Sequence, residues 1–166
     1  MTIDDLDRRK KTLVAGTMNT MNSLEQCNYP GTLIDCADFV LSTVAVKVTE
    51  LLEAALAPLD LRVRHYRLLL LLAVEGARAQ SSIGSALGVD RTTVVALVDH
   101  LEQLGAAKRV RCEDRRAYFV ELTAKGKKLA RQAVMRVRAV EAQIFAPLTP
   151  AEQDTLRRLS ARLLAS

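Results

Sequence analysis

The sequence predicts a mainly α-helical fold with one small antiparallel β-wing near its middle, flanked by long helices towards both termini. Three observations lead there. Apolar residues recur at steps of three and four over most of the 166 residues, the signature of helices with one buried face. Two short runs, AAKRVR and AYFVEL, instead carry alternating, β-branched and aromatic character around the polar tip CEDRR, which suits a hairpin. Tryptophan is absent and Ala and Leu dominate, a bias towards helix over sheet.

Taken in order, residues 1–31 lack sustained periodicity and contain Asn, Thr, Gly and Pro; they form an arm, with a short helix expected around 11–26. A long helix is expected from about Thr32, because Ile34, Ala37, Leu41, Val44, Val48, Leu51 and Ala55 form one stripe and Pro58 closes it. The run HYRLLLLLAVEG is apolar around much of its circumference, so a helix from about Val63 to Gly76 should sit centrally. Next comes AQSSIGSAL, with Ile83, Ala86 and Leu87 facing a core, and a turn at Gly88 and Val89. Asp90 is placed to cap RTTVVALVDHLEQL, whose Val94, Leu97, Val98, Leu101 and Leu104 make a buried stripe ending at Gly105. Helix, tight turn and second helix resemble a helix-turn-helix, in which the second helix offers its N-terminal residues to the major groove. The two-stranded ribbon follows as a wing. Thr123 caps a long helix to about 146 bearing Leu129, Ala133, Val137, Val140 and Ile144, and Thr149 caps a last one with Leu156, Leu159, Leu163 and Leu164.

The formal charge is +5, and its distribution says more than its size. Residues 1–60 carry five basic and nine acidic side chains, whereas 90–131 carry ten basic and six acidic. The positive excess coincides with the helix-turn-helix and ribbon, which favours a phosphate footprint over a merely solvated face. The start, MTIDDLDRRKK, is charged with no apolar core of a signal peptide behind it, and the apolar run at 68–74 is far too short for a membrane span. A cytoplasmic protein without membrane contact is expected.

The run SSIGSALGVDRTTVVALVDHLEQLGAAKRVRCEDRRAYFVELTAKGKKL resembles the winged-helix core of the MarR family of bacterial transcriptional regulators. The features that carry the likeness are LGVDRTTV, LVDHLEQLGAAKR, the wing motif EDRRA and the closing LTAKG, over roughly residues 60–130. The resemblance implies a homodimer on a pseudo-palindromic operator, usually a repressor relieved by a small ligand or an oxidant. It divides the chain into an arm (1–31), an N-terminal dimerisation helix (32–60), a winged helix-turn-helix DNA-binding domain (61–123) and C-terminal dimerisation helices (124–166). Within it, Arg91, Thr92 and Thr93 are candidates for base readout, since arginine can grip a guanine edge and threonine offers a hydroxyl or methyl; a phosphate contact or a solvated arginine stays open for Arg91. Gln80 and Ser81 suit backbone phosphates or simple N-capping. By the resemblance Arg116 enters a minor groove and Asp114 helps to fix the loop, with a merely solvated hairpin tip as the alternative; Arg115 has a charge available for a phosphate, and Lys108, Arg109 and Arg111 add mainly nonspecific affinity.

Family members often bind aromatic small molecules between dimer helices and DNA-binding lobe. Residues here that could line such a crevice are Arg62, His65, Tyr66, Tyr29 and Phe39, although His65 at a helix start also suits a capping role and Tyr66 a core position. Cys27, Cys36 and Cys112 have no metal-like spacing and only two histidines accompany them, so no metal or other cofactor is expected. Cys112 lies among arginines that favour its thiolate, so a redox-sensing regulator of the same fold is an alternative, beside an incidental thiol. A winged helix serving only as a protein-interaction module is another. An enzyme is not expected: no nucleophile elbow or phosphate loop appears, and the Asp99-His100 pair should face solvent.

Overall fold

The computed structural model describes residues 29–111 and 118–165. The elements run α1 (Gly31–Ile34), α2 (Ala37–Leu56), a 3-10 turn (Ala57–Leu59), α3 (Val63–Glu75), β1 (Arg78–Ala79), α4 (Gln80–Leu87), α5 (Arg91–Gln103), β2 (Ala107–Arg111), β3 (Tyr118–Leu122), α6 (Ala124–Ile144) and α7 (Pro150–Leu164). The mainly helical class with a small antiparallel sheet is as expected. The chain forms two compact units, Met1–Ala45 and Val46–Ser166, whose boundary falls inside α2.

In the first unit the expected helix from Thr32 is interrupted: α1 ends at Ile34, and Asp35 and Cys36 separate it from α2. Here Tyr29 meets Phe39 edge to face, with ring centroids 5.5 Å apart. The stripe foreseen on α2 stays largely uncovered, with Leu41 and Val44 each 52% exposed.

The second unit holds the core. Helix α3 is its centre: Leu68, Leu69 and Leu72 are buried, and the helix packs against α5, α6, α4 and β3. Its first turn is fastened by a side chain from α2, because the Val63 amide donates to Glu53 Oε1 at 3.1 Å, satisfying one of the helix's orphan donors. From α4 comes Ile83, fully buried, while Ala86 is exposed, contrary to its assigned inward place. Although α4 packs against α5, β1, α3 and β3, none of them covers the side on which Ala86 lies, which the three-and-four spacing alone does not tell. Gly88 then takes φ +64°, and its conformation ends α4 where a β-carbon would be strained.

The sheet has three strands rather than the expected two, in the order β1-β3-β2. Arg78 and Ala79 pair with Val120 and Phe119, filling the open edge of β3. Ala107 to Arg111 pair with Leu122 to Tyr118 on its other side. Thr123 ties sheet, α5 and α6 together. Its hydroxyl donates to the Gly105 carbonyl at 2.7 Å and accepts from the Gly126 amide at 3.0 Å, the cap of α6.

Gly126 is the tightest contact in this joint. A β-carbon there would overlap the carbonyl group of Ala106, which is backbone and cannot swing aside. Gly126→Ala is therefore expected to destabilise the protein by about 3 kcal/mol or more, beyond the usual cost of overpacking, read as a lower urea midpoint. An unchanged midpoint would show that the α5–α6 joint is looser than described.

Candidate nucleic-acid interface

Helix α5 buries Val94, Leu97, Val98 and Leu101 on one side, so its other side and its first turn are left for solvent. Asp90 begins it as the sequence predicts: Oδ1 accepts from the Thr93 amide at 2.9 Å and Oδ2 from the Thr93 hydroxyl at 2.6 Å. These bonds hold the Asp90 carboxyl below its ordinary range. They also commit the Thr93 hydroxyl to the cap. Arg91 and Thr92, ahead of it, are exposed.

A groove of about 470 Å³ opens beside this first turn, lined by Gln80, Ser81, Ser85, Arg91 and Tyr118 with Val89 and Val94 among its apolar walls. Ala79, not Gln80 or Ser81, occupies the N-cap position of α4, and no side chain caps that helix. Gln80 and Ser81 are thus on its first turn with unbonded helix N–H groups around them, an electropositive edge. Tyr118, which the sequence did not single out, joins the groove from the ribbon; its hydroxyl accepts from Arg111 Nε at 3.3 Å and the guanidinium lies 5.7 Å from the ring centroid.

The basic residues of β2 fare differently from one another. Lys108 pairs with Glu121 across the ribbon at 2.7 Å, and both are solvent-exposed enough for that pair to be weak. Arg111 is exposed. Arg109 turns inward to Asp99 at 2.6 Å and to Glu102. Asp114, Arg115, Arg116 and Cys112 lie outside the described residues.

The residues assigned to a ligand crevice separate. Arg62 and His65 line a second cavity of about 810 Å³ together with Glu53, Asp60 and His100. Tyr66 packs instead against the hydrophobic core, and burial raises its phenol above the ordinary value. Tyr29 and Phe39 pair with each other in the first unit. His100 does not face solvent as expected. Its ring stacks on His65 at 4.2 Å between centroids, and Nε2 lies 2.7 Å from the Asp60 carbonyl oxygen. Asp60 presents that carbonyl because it adopts φ +55°, a left-handed conformation that asparagine and aspartate tolerate. Asp99 likewise is not free, being paired with Arg109. No local pattern could reveal these contacts, since His100 and Asp60 are 40 residues apart.

His65 also caps α3: the Arg62 amide donates to its Nδ1 at 3.0 Å, which fixes the neutral ring as the Nε2–H tautomer. Burial first, then the neighbouring His100 and Arg62, lower its pKa from 6.5 to about 4. The folded protein therefore favours neutral His65, and the unfolded chain binds the extra proton between those values.

A central helix, an Asp-capped reading helix with an exposed first turn, and a basic ribbon beside it define a winged helix-turn-helix DNA-binding regulator. A family model described as the MarR family matches residues 59–117. The HTH-type transcriptional regulator PecS of Dickeya dadantii (strain 3937) is 30% identical over 127 residues, 74% of this chain and 76% of PecS. A MarR-family transcriptional regulator from Rhodococcus sp. RHA1 superposes with a TM-score of 0.72 at 31% identity, over 79% of this chain and 94% of that one. CouR from Rhodococcus jostii RHA1, solved bound to p-coumaroyl-CoA, gives a TM-score of 0.71 at 30% identity, over 79% and 93%. The chain belongs to the MarR family, whose members are transcription regulators and not enzymes. Among the described residues no helix is long and apolar enough to cross a membrane, and no group of three or more His, Cys, Asp or Glu is placed to hold a metal.

The His65 geometry sets a pH dependence with a definite sign. Its contribution to stability is fully present above pH 6.5 and is lost as pH falls towards about 4. In urea titrations the stability of wild type relative to His65→Gln should rise with pH across that window and level off above it. A difference that stays flat, or falls with pH, would contradict the buried neutral ring.

Proposed function

We propose that this chain acts as a homodimeric repressor in the bacterial cytoplasm, binding a pseudo-palindromic operator and released by a small aromatic effector. The observation that carries the reading is the first turn of α5: Asp90 anchors it from below while Arg91 and Thr92 stand exposed beside a groove shared with Gln80 and Ser81. In this reading Arg91 meets a base edge, Thr92 and the Thr93 methyl make apolar or hydroxyl contacts, and Gln80 and Ser81 take backbone phosphates. Lys108 and Arg111 add charge along the ribbon. The family resemblance assigns the minor-groove contact to Arg116, with Asp114 and Arg115 at its side.

Dimerisation is supported by apolar side chains left exposed on helices near both ends of the chain. Leu41, Val44 and Leu51 on α2 and Leu156, Leu159 and Leu164 on α7 are 40% to 90% exposed, more than an isolated subunit would be expected to leave open. The segments 32–60 and 124–166 are the proposed dimerisation regions, with 61–123 as the DNA-binding domain.

The effector crevice in this reading is the cavity at Arg62, His65 and His100. Two stacked imidazoles offer a flat face, and Arg62 a cation for a carboxylate or phosphate. That CouR was solved with an aromatic acyl thioester supports a ligand of that class here. His100 belongs to α5, so occupancy would be felt by the reading helix itself.

Gel-shift titration against selected genomic fragments tests the DNA half. Arg91→Ala should weaken operator binding by about 1–3 kcal/mol and relax sequence preference at one position per half-site, with helix content unchanged. Retained affinity and preference would remove Arg91 from the reading. For the effector half, p-coumarate and its coenzyme A thioester are added to the preformed complex. Release by either one that is lost in Arg62→Ala supports the crevice, and release undiminished in that variant places the ligand elsewhere.

A further inference from the structure

Arg109 is built into the ribbon in a way its charge alone does not require. Its side chain is only 21% exposed. Nη2 reaches Asp99 Oδ1 at 2.6 Å and the Val95 carbonyl at 3.5 Å, Nη1 is bonded to Glu102 Oε2, and Nε donates to Gln80 Oε1 at 3.3 Å. The backbone joins in, since the Arg109 amide donates to Glu102 Oε1 at 2.8 Å. Val95, Asp99 and Glu102 lie four and three residues apart, one face of α5. A guanidinium carries its donors in a rigid planar fork, and here each of its nitrogens is engaged.

Three parts of the DNA-facing surface thus meet at one side chain: the reading helix α5, the ribbon strand β2 and the first residue of α4. The bond to Gln80 has a further effect. With its carbonyl oxygen accepting from Arg109, the amide nitrogen of Gln80 is the group left to act, and it has only donors to offer. Gln80 lines the same groove as Ser81 and Arg91. A donor amide in that place suits a phosphate oxygen, whereas the flipped amide would present an acceptor and repel it.

We propose that Arg109 is a positioning residue for DNA recognition: it fixes β2 against α5 and turns the Gln80 amide outward, and it does not itself contact a phosphate. Its single positive charge is met by two carboxylates, so the cluster as a whole displaces no counterion from DNA. Lysine cannot replace it, because a point charge on a flexible stem cannot span Asp99, Glu102 and Gln80 at once.

The experiment measures affinity for operator and for an unrelated duplex of equal length, each across a salt series, with circular dichroism to confirm folding. Arg109→Lys should lose about tenfold or more in operator affinity, roughly the worth of a misplaced specific contact. Its salt slope should match wild type, because Gln80 is neutral, and its affinity for unrelated duplex should fall by less than its operator affinity. Asp99→Asn separates positioning from electrostatics and keeps the Glu102 arm should Arg109→Lys fail to fold. Removing an acid near DNA raises affinity for any duplex by charge alone, yet the proposal expects the ratio of operator to unrelated affinity to fall. Two results would overturn it. One is operator affinity kept in Arg109→Lys, or rising in step with unrelated affinity in Asp99→Asn. The other is an Arg109→Gln variant whose salt slope is shallower by about one with both affinities lowered alike, the mark of a direct phosphate contact.

Discussion

The burial of one stripe of α5 governs the rest of the molecule. Val94, Leu97, Val98 and Leu101 enter a core built around α3, and each fully buried aliphatic side chain contributes roughly 1.5–3 kcal/mol of transfer free energy. A rotation of the helix by even a third of a turn would expose several of them. The opposite face and the first turn are therefore fixed outward with the same firmness. A recognition helix needs this, because a side chain reads a base edge only when its backbone is held to within a fraction of an ångström. The cap at Asp90 and the joint at Gly105, Thr123 and Gly126 then hold the two ends of that helix, one by side-chain acceptors and one by close backbone packing.

Positive charge in the ribbon divides into two kinds of work. Arg111 is exposed beside Tyr118 and available to an anion, while Arg109, two residues earlier and on the same side of the strand, is compensated by Asp99 and Glu102. A count of basic residues in this region overstates the charge offered to DNA. It also hides the bonds by which Arg109 ties β2 to α5 and to Gln80. The His65–His100 stack meets α5 at a residue between Asp99 and Glu102, so the same stretch of the helix carries a second set of polar contacts that a ligand or a mutation could alter.

Much of the fold could be read from the residues alone because its signals are local. Asp90, Thr123 and Thr149 each begin a helix at the place their side chains suggested, since a cap is decided within three residues. Strand β1 escaped because two residues carry no period; Arg78 and Ala79 become a strand only when β3 offers an edge. Ala86 escaped because the side of α4 left open is set by which elements pack around it, and the spacing does not carry that. At the candidate site the same rule holds. Arg91 and Gln80 follow from the helix-turn-helix order, but the inward turn of Arg109 and the meeting of His100 with Asp60 depend on residues brought from distant positions in the chain.

Amide hydrogen exchange, compared with and without a duplex selected from genomic fragments, tests the central claim most directly. Protection that gathers on the first turns of α4 and α5 and on the β2–β3 ribbon, and leaves the surface of α7 unaffected by DNA, is the outcome this account predicts. Protection confined to α6 or α7, with the start of α5 exchanging as in the free protein, would contradict it.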